Sequence, residues 1–87
     1  MNFFLDFETR SGADLRDVGV DVHVSHPWAD IWCVGYAIDD GPVSCLTPHA
    51  AVFILNKIAN GTCRIIAHNA QFEWQVWNTI LTKKYGV

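Results

Sequence analysis

Apolar and polar residues alternate at the start of the chain, in the stretch FFLDFETRSG over residues 3 to 12. A strand directs successive side chains to opposite faces, so this spacing predicts a strand over residues 2 to 8 with one buried face. Asp6 and Glu8 then share the other face. Like charges this close destabilise one another unless water screens them or a cation bridges them, so we expect solvent or a metal ion beside them.

Valines also occur at every second position between residues 18 and 24. Polar residues and one glycine stand between them, which predicts a half-exposed extended segment, either a strand or an ordered loop. Residues 10 to 13 are predicted to form the loop that precedes it. Beyond this segment, IWCVGYAID (31 to 39) and PVSCL (42 to 46) flank an Asp-Gly turn signal and predict a hairpin of two antiparallel strands.

The second half of the chain predicts two helices around a short strand. Pro48 begins the first helix after Thr47 as its cap, and the helix is expected to end before Gly61. The run CRIIA over residues 63 to 67 predicts a buried strand. A second helix is predicted over residues 70 to 83, with Asn69 as its cap.

The order of these elements predicts an α/β fold in a single domain over residues 1 to 87. A crossover from a hairpin through a helix to the next strand favours a right-handed connection and parallel pairing with the first strand. We therefore expect an antiparallel three-stranded portion, one parallel strand and two helices.

Composition supports a packed globular protein. Of its 87 residues, 51% are hydrophobic and 17% are charged, which argues against disorder and predicts a small core with apolar surface to spare. The formal net charge of −3 excludes binding of nucleic acid by general electrostatic attraction. The cysteines form no C-x-x-C pair, so we expect reduced, buried thiols rather than zinc ligands. No apolar run approaches the roughly 20 residues that span a bilayer, so we expect a cytoplasmic protein without membrane contact.

A third acid stands at the edge of an element in AHNAQFEW, residues 67 to 74. Glu73 falls in the first turn of the second predicted helix, directly after the strand expected to run parallel to the first. The carboxyl ends of parallel strands coincide, so Glu73 is expected to approach Asp6 and Glu8. Three carboxylates around one point suit Mg²⁺ or Mn²⁺, and a pair of such ions clamps the attacking and leaving oxygens of a phosphodiester.

Two motifs together resemble the first two motifs of the DEDD, or DnaQ-like, 3′-5′ exonucleases: Asp6-Phe7-Glu8 on a strand and Asn69-Ala70-Gln71-Phe72-Glu73 opening a helix. The resemblance covers nearly the whole chain. LDFETRSGADLRDVGV, HPWADIWCVGYAIDDGPV and IIAHNAQFEWQVWN look like the amino-terminal proofreading region of phage-type family A DNA polymerases. A ribonuclease-H-like fold, here in a minimal form, is what this resemblance implies.

The resemblance implies a role for each matching residue. Asp6, Glu8 and Glu73 correspond to catalytic ligands of Mg²⁺ or Mn²⁺, and water is the nucleophile. Asn69 helps to shape the site. Apart from the resemblance, Arg10 and Arg16 are placed to contact a nucleic-acid backbone, such as the 3′ end of single-stranded DNA.

The sequence departs from the family in two ways. Glu73 stands where aspartate is usual, and the third motif, which carries the fourth carboxylate and the general base, is missing. We therefore expect a truncated domain that is inactive or nearly so alone. Loss of that segment also opens one side of the fold, which a protein partner or a second copy of the chain is expected to cover.

Simpler interpretations of these residues stay open. Asp6 and Glu8 are also explained as two solvated acids, Glu73 as an acid that complements the helix dipole, and Asn69 as a plain cap.

Trp28 and Trp74 either fill the small core or lie exposed as anchors for a partner. Exposed anchors favour a second hypothesis, in which the chain is a small phage-encoded protein that binds or inhibits a host protein of defence or replication.

Overall fold

The computed structural model describes residues 1–12 and 14–87, with the side chains of Asp17 and Val18 also left aside. The predicted loop position Ala13 therefore lies outside the described residues. The elements, in chain order, are β1 (Asn2–Arg10), α1 (Leu15–Ser25), β2 (Asp30–Ile38), β3 (Ser44–Leu46), α2 (Pro48–Ala59), β4 (Arg64–Ile66), α3 (Ala70–Val76), a π-helical segment (Trp77–Leu81) and α4 (Thr82–Tyr85).

The strands form one mixed sheet in the order β3-β2-β1-β4. β2 runs antiparallel to both β1 and β3, whereas β4 pairs in parallel with β1. The predicted arrangement of three antiparallel strands and one parallel strand is therefore confirmed. The parallel pairing is short, since it joins only residues 2–4 of β1 to β4, and this leaves the second half of β1 without a strand on that side.

The segment with valines at every second position forms a helix, α1, so the prediction of an extended segment is wrong. This helix is additional to the two that were predicted. Asp14 caps α1 by accepting a hydrogen bond from the backbone N–H of Arg16. Val24 is buried and Val20 packs partly against the core, whereas Val22 is exposed. Val20 and Val24 are four positions apart and therefore lie on one face of the helix. Valines at every second position are thus compatible with a helix as well as with a strand.

The helices cover one face of the sheet and build the core against it. Buried side chains of β1 and β2 pack there against buried side chains of α1, α2, α3 and the π-helical segment. The core consists of Phe3, Leu5, Phe7, Val24, Ala29, Ile31, Val34, Ala51, Leu55, Ile58, Val76, Ile80 and Leu81. Phe4 and Trp32 are exposed, and they lie on the opposite face, where no described helix packs.

The helix predicted over residues 70 to 83 is present and extends to Tyr85, with one irregularity, the π-helical segment. Asn69 caps α3, and its side chain accepts from the backbone N–H of Phe72. Trp77, the first residue of the π-helical segment, is partly buried with its ring edge-on to Phe7. Gly86 ends α4 in the left-handed conformation.

Candidate acidic site at the end of the first strand

Asp6 and Glu8 share the open face of the sheet, as the alternation in β1 predicts. Phe3, Leu5 and Phe7 are buried, whereas Asp6 and Glu8 are exposed between and beyond them. The sheet leaves room beside Asp6 because its partner on β2 is Gly35. Both carboxylates are therefore accessible to water.

Glu73 reaches the same end of β1 from the helix layer. Its Oε2 accepts a hydrogen bond from the backbone N–H of Phe7 at 3.0 Å. The N–H of Phe7 points to the side of β1 on which β4 has already ended, because the β4 pairing stops at Phe4. Glu73 therefore supplies the acceptor that a longer strand would have provided.

Burial and charge both act on Glu73. Its side chain is only 6% exposed. The pKa of Glu73 is raised to about 7: burial is the main cause, the hydrogen bond from Phe7 opposes the shift, and the charges of Asp6 and Glu8 add to it. The three acids thus share one electrostatic environment, as the parallel strands predict.

The three carboxylates do not form a three-ligand cluster in this structure. Among residues 1–12 and 14–87, no group of three or more His, Cys, Asp or Glu side chains is arranged to hold a metal ion. Asp6 and Glu8 point to the open face, whereas one oxygen of Glu73 is committed to Phe7 at the strand edge. We therefore derive no catalytic step through a metal.

Asn69 and Arg10, the two candidate contacts for a nucleic-acid substrate, lie in different elements: Arg10 ends β1, and Asn69 precedes α3. Asn69 acts as the helix cap, with 3.4 Å from its Oδ1 to the backbone nitrogen of Phe72. Arg10 forms an ion pair with Asp30 at 3.7 Å while its side chain stays largely exposed. Both side chains have a structural partner, and Arg10 also remains accessible to solvent.

His23 stands among the polar residues of the valine segment, and its burial was not predicted from the sequence. It is 7% exposed, and its Nε2 lies 2.9 Å from Oγ1 of Thr9, the residue after Glu8. A helical interpretation of the valine segment would have found it, since positions 20, 23 and 24 fall on one helix face. His23 and Glu8 line the same cavity, together with Arg10 and Arg16.

The cysteines are not part of the core, contrary to prediction. Cys45 is exposed, and Cys33 and Cys63 are partly exposed. Burial raises the pKa of Cys33, and its contact with Cys45 and the charges of Glu8 and Asp6 act in the same direction. The open face next to the acids therefore carries two neighbouring thiols.

Trp28 and Trp74 are exposed, so the interpretation that they fill the core is wrong. Trp28 is 76% and Trp74 is 66% exposed. Among the described residues, the only aromatic ring that pairs with Trp28 is that of His26, in an edge-on arrangement. Both indoles present most of their surface to solvent, which is the arrangement expected of anchors for a partner.

Comparisons of this chain with models of protein families, with curated proteins and with solved structures give no significant match. The likeness to exonucleases therefore rests on the motif residues themselves. In residues 1–12 and 14–87, no helix has the length and apolar character needed to cross a membrane.

Proposed function

We propose that this chain is a 3′-5′ exonuclease-like domain of the phage DNA polymerase type that is not a competent nuclease on its own. The observation that carries the proposal is the hydrogen bond from Phe7 to Glu73. It brings an acid from the second motif to the strand residue between the two acids of the first motif. Glu73 thereby lies close enough to Asp6 and Glu8 for their charges to raise its pKa.

The same hydrogen bond supports the inactivity proposed for the domain alone. A carboxylate ligand needs free oxygen atoms to coordinate a metal ion, whereas one oxygen of Glu73 already accepts the hydrogen bond from Phe7. Three of the four carboxylates that the resemblance implies are present in these 87 residues. The fourth would have to come from a further segment or from a partner chain.

Hydrolysis of single-stranded DNA labelled at its 5′ end tests the proposal, because 3′-5′ digestion gives a ladder of shortened labelled products. We expect no more digestion by the wild type in Mn²⁺ or Mg²⁺ than by Asp6→Asn. Digestion that depends on the metal and is lost in Asp6→Asn would contradict inactivity.

Binding of Mn²⁺ tests the ancestry of the site separately from its activity. We expect the paramagnetic ion to broaden the backbone NMR signals of residues 6–8 selectively, and to lose this selectivity in the double variant Asp6→Asn, Glu8→Gln. If the signals broadened equally in both proteins, Asp6 and Glu8 would be ordinary solvated acids, and the exonuclease-like assignment would be contradicted.

A second function, a binding module for a host protein, is favoured by the exposure of Trp28 and Trp74. Large indoles at such exposure are costly to leave in water and are enriched at binding hot spots. We expect a partner purified with the wild type to lose at least tenfold in affinity, about 1.4 kcal/mol or more, for Trp74→Ala. The matched control is Phe53→Ala, because Phe53 is also an exposed aromatic residue but lies on α2. This variant should bind the partner as the wild type does.

A further inference from the structure

A cavity of about 430 Å³ opens at the β4 edge of the sheet, on the side covered by helices. Its apolar wall consists of Leu5 from β1, Ala59 from the end of α2 and Ile65 from β4. Ile65 is 44% exposed because the helix layer stops short of this edge. The volume is in the range of roughly 300–1,000 Å³ that is typical of small-molecule sites.

Two indoles form the opposite wall of this cavity. Trp74 and Trp77 lie three residues apart and therefore on neighbouring positions of one helical surface. Trp77 packs against Phe7, with 6.4 Å between the ring centroids, whereas Trp74 is 66% exposed at the mouth. Indole faces carry negative electrostatic potential and attract organic cations.

The polar groups that line the cavity include one carboxyl group. Glu73 uses Oε2 for Phe7, and among the described residues its second carboxylate oxygen makes no hydrogen bond. Asn78 donates one N–H of Nδ2 to the carbonyl of Trp74 at 2.8 Å, and its Oδ1 is an acceptor. No lysine, arginine or histidine is among the described residues that line the cavity.

We propose that this cavity binds a primary alkylammonium group. The alkyl chain packs on the apolar wall, the ammonium group contacts the indole faces, and its N–H groups donate to Glu73 and Asn78. Glu73 is the only charged side chain among the described residues that line the cavity, and no cationic side chain offsets it, so charge complementarity favours a cation over a phosphate or carboxylate ligand. The proposal goes beyond the exonuclease-like function: it uses Glu73, but Asp6 and Glu8 lie on the other face of the sheet and take no part in it.

The test compares n-pentylammonium with 1-pentanol, which has a similar chain and no charge, on the unmodified protein. The readout is the indole N–H region of the ¹H–¹⁵N NMR spectrum, in which the four tryptophans report separately. We expect pentylammonium to shift the signals of Trp74 and Trp77 and to leave those of Trp28 and Trp32 in place. Equal shifts with the alcohol, or no shift with the amine, would overturn the proposal.

Variants identify the groups responsible. Glu73→Gln keeps an acceptor for Phe7 and removes the charge, so we expect the amine to bind about tenfold more weakly, which corresponds to one charge-assisted hydrogen bond. Trp32→Phe, on the open face, is the matched control and should bind as the wild type does. Unchanged affinity in Glu73→Gln would refute the assigned cation site.

Two sources of the ammonium group are distinguished by a third titration. Nα-acetyl-lysine methylamide presents the group as a peptide side chain, whereas n-pentylammonium presents it as a free amine. Tighter binding of the lysine derivative identifies a lysine side chain as the ligand, and tighter binding of pentylammonium identifies a small amine. The Nε-acetylated lysine derivative lacks the charge, and its binding with equal affinity would again overturn the proposal.

Discussion

Glu73 shows how a single side chain connects the core to a candidate site. It belongs to a helix, yet its carboxylate completes the hydrogen bonding of β1 at Phe7. Such a buried acid costs stability when it is charged, because burial disfavours the charged form and Asp6 and Glu8 add repulsion. Residues that sacrifice stability in this way are frequent at functional sites.

The substitution Glu73→Gln should stabilise the protein at high pH and have little effect at low pH. The folded-state pKa of about 7 lies above the usual value of 4.5, so the stability associated with the bound proton is complete below pH 4.5 and is lost as the pH rises through 7. The full difference corresponds to about 3 kcal/mol. Urea unfolding at pH 5, 6, 7 and 8 measures it, and a gain that is the same at every pH would show that charge is not the cause.

At the residue scale, the sequence predicted the shared face of Asp6 and Glu8 because alternation in a strand is local. It also predicted the approach of Glu73, since parallel strands align their carboxyl ends. The hydrogen bond from Phe7 to Glu73 could not be predicted, because it depends on the residue of β1 at which the pairing with β4 ends. The exposure of Trp28 and Trp74 was equally undecided, because it depends on where the helices pack rather than on the residues nearby.

At the scale of elements, α1 shows the limit of periodicity as evidence. The segment contains Gly19 with φ 81° and ψ 174°, a conformation that interrupts the helix and is essentially confined to glycine. With valines at alternate positions around it, the local pattern resembles a strand. Packing of Val20, His23 and Val24 against the rest of the molecule decides for the helix, and this packing is not visible in a short window of sequence.

Gly19→Ala is expected to destabilise the protein by about 1 to 3 kcal/mol, because alanine does not readily adopt this backbone conformation. No described atom lies within 4 Å of the position that the new Cβ would take, so backbone strain is the only cause. The midpoint of thermal unfolding measures the loss. Gly86→Ala is the control, since that residue also has a positive φ but lies in the ordinary left-handed region (φ 73°, ψ 23°), where a residue with a side chain is less strained. An equal loss in both variants would exclude a special role for the interruption in α1.

At the scale of the whole molecule, the helices cover one side of the sheet only. That side holds the core, and the other side exposes Asp6 and Glu8 together with Phe4 and Trp32. The antiparallel and parallel pairings were predictable because the hairpin signal and the crossover rule are strong. The asymmetry follows from the small number of helices, each of which packs into the same core.

The asymmetry predicts unequal effects of two substitutions within α2. Leu55 is completely buried against the sheet, and Phe53 is 71% exposed. Leu55→Ala should cost about 2 to 5 kcal/mol through lost burial and a residual cavity. Phe53→Ala should change stability by no more than about 0.5 kcal/mol. Urea unfolding of the two variants gives the comparison, and similar losses would mean that α2 is covered on both sides.

The most direct test of the account is an NMR titration of the Glu73 carboxyl carbon. The account predicts a midpoint near pH 7 in the wild type. In the double variant Asp6→Asn, Glu8→Gln the midpoint should fall but stay above the usual 4.5, because burial remains as the main cause. A wild-type midpoint at 4.5 would contradict the account, since Glu73 would then be neither buried at the strand end nor in contact with the charges of the first motif.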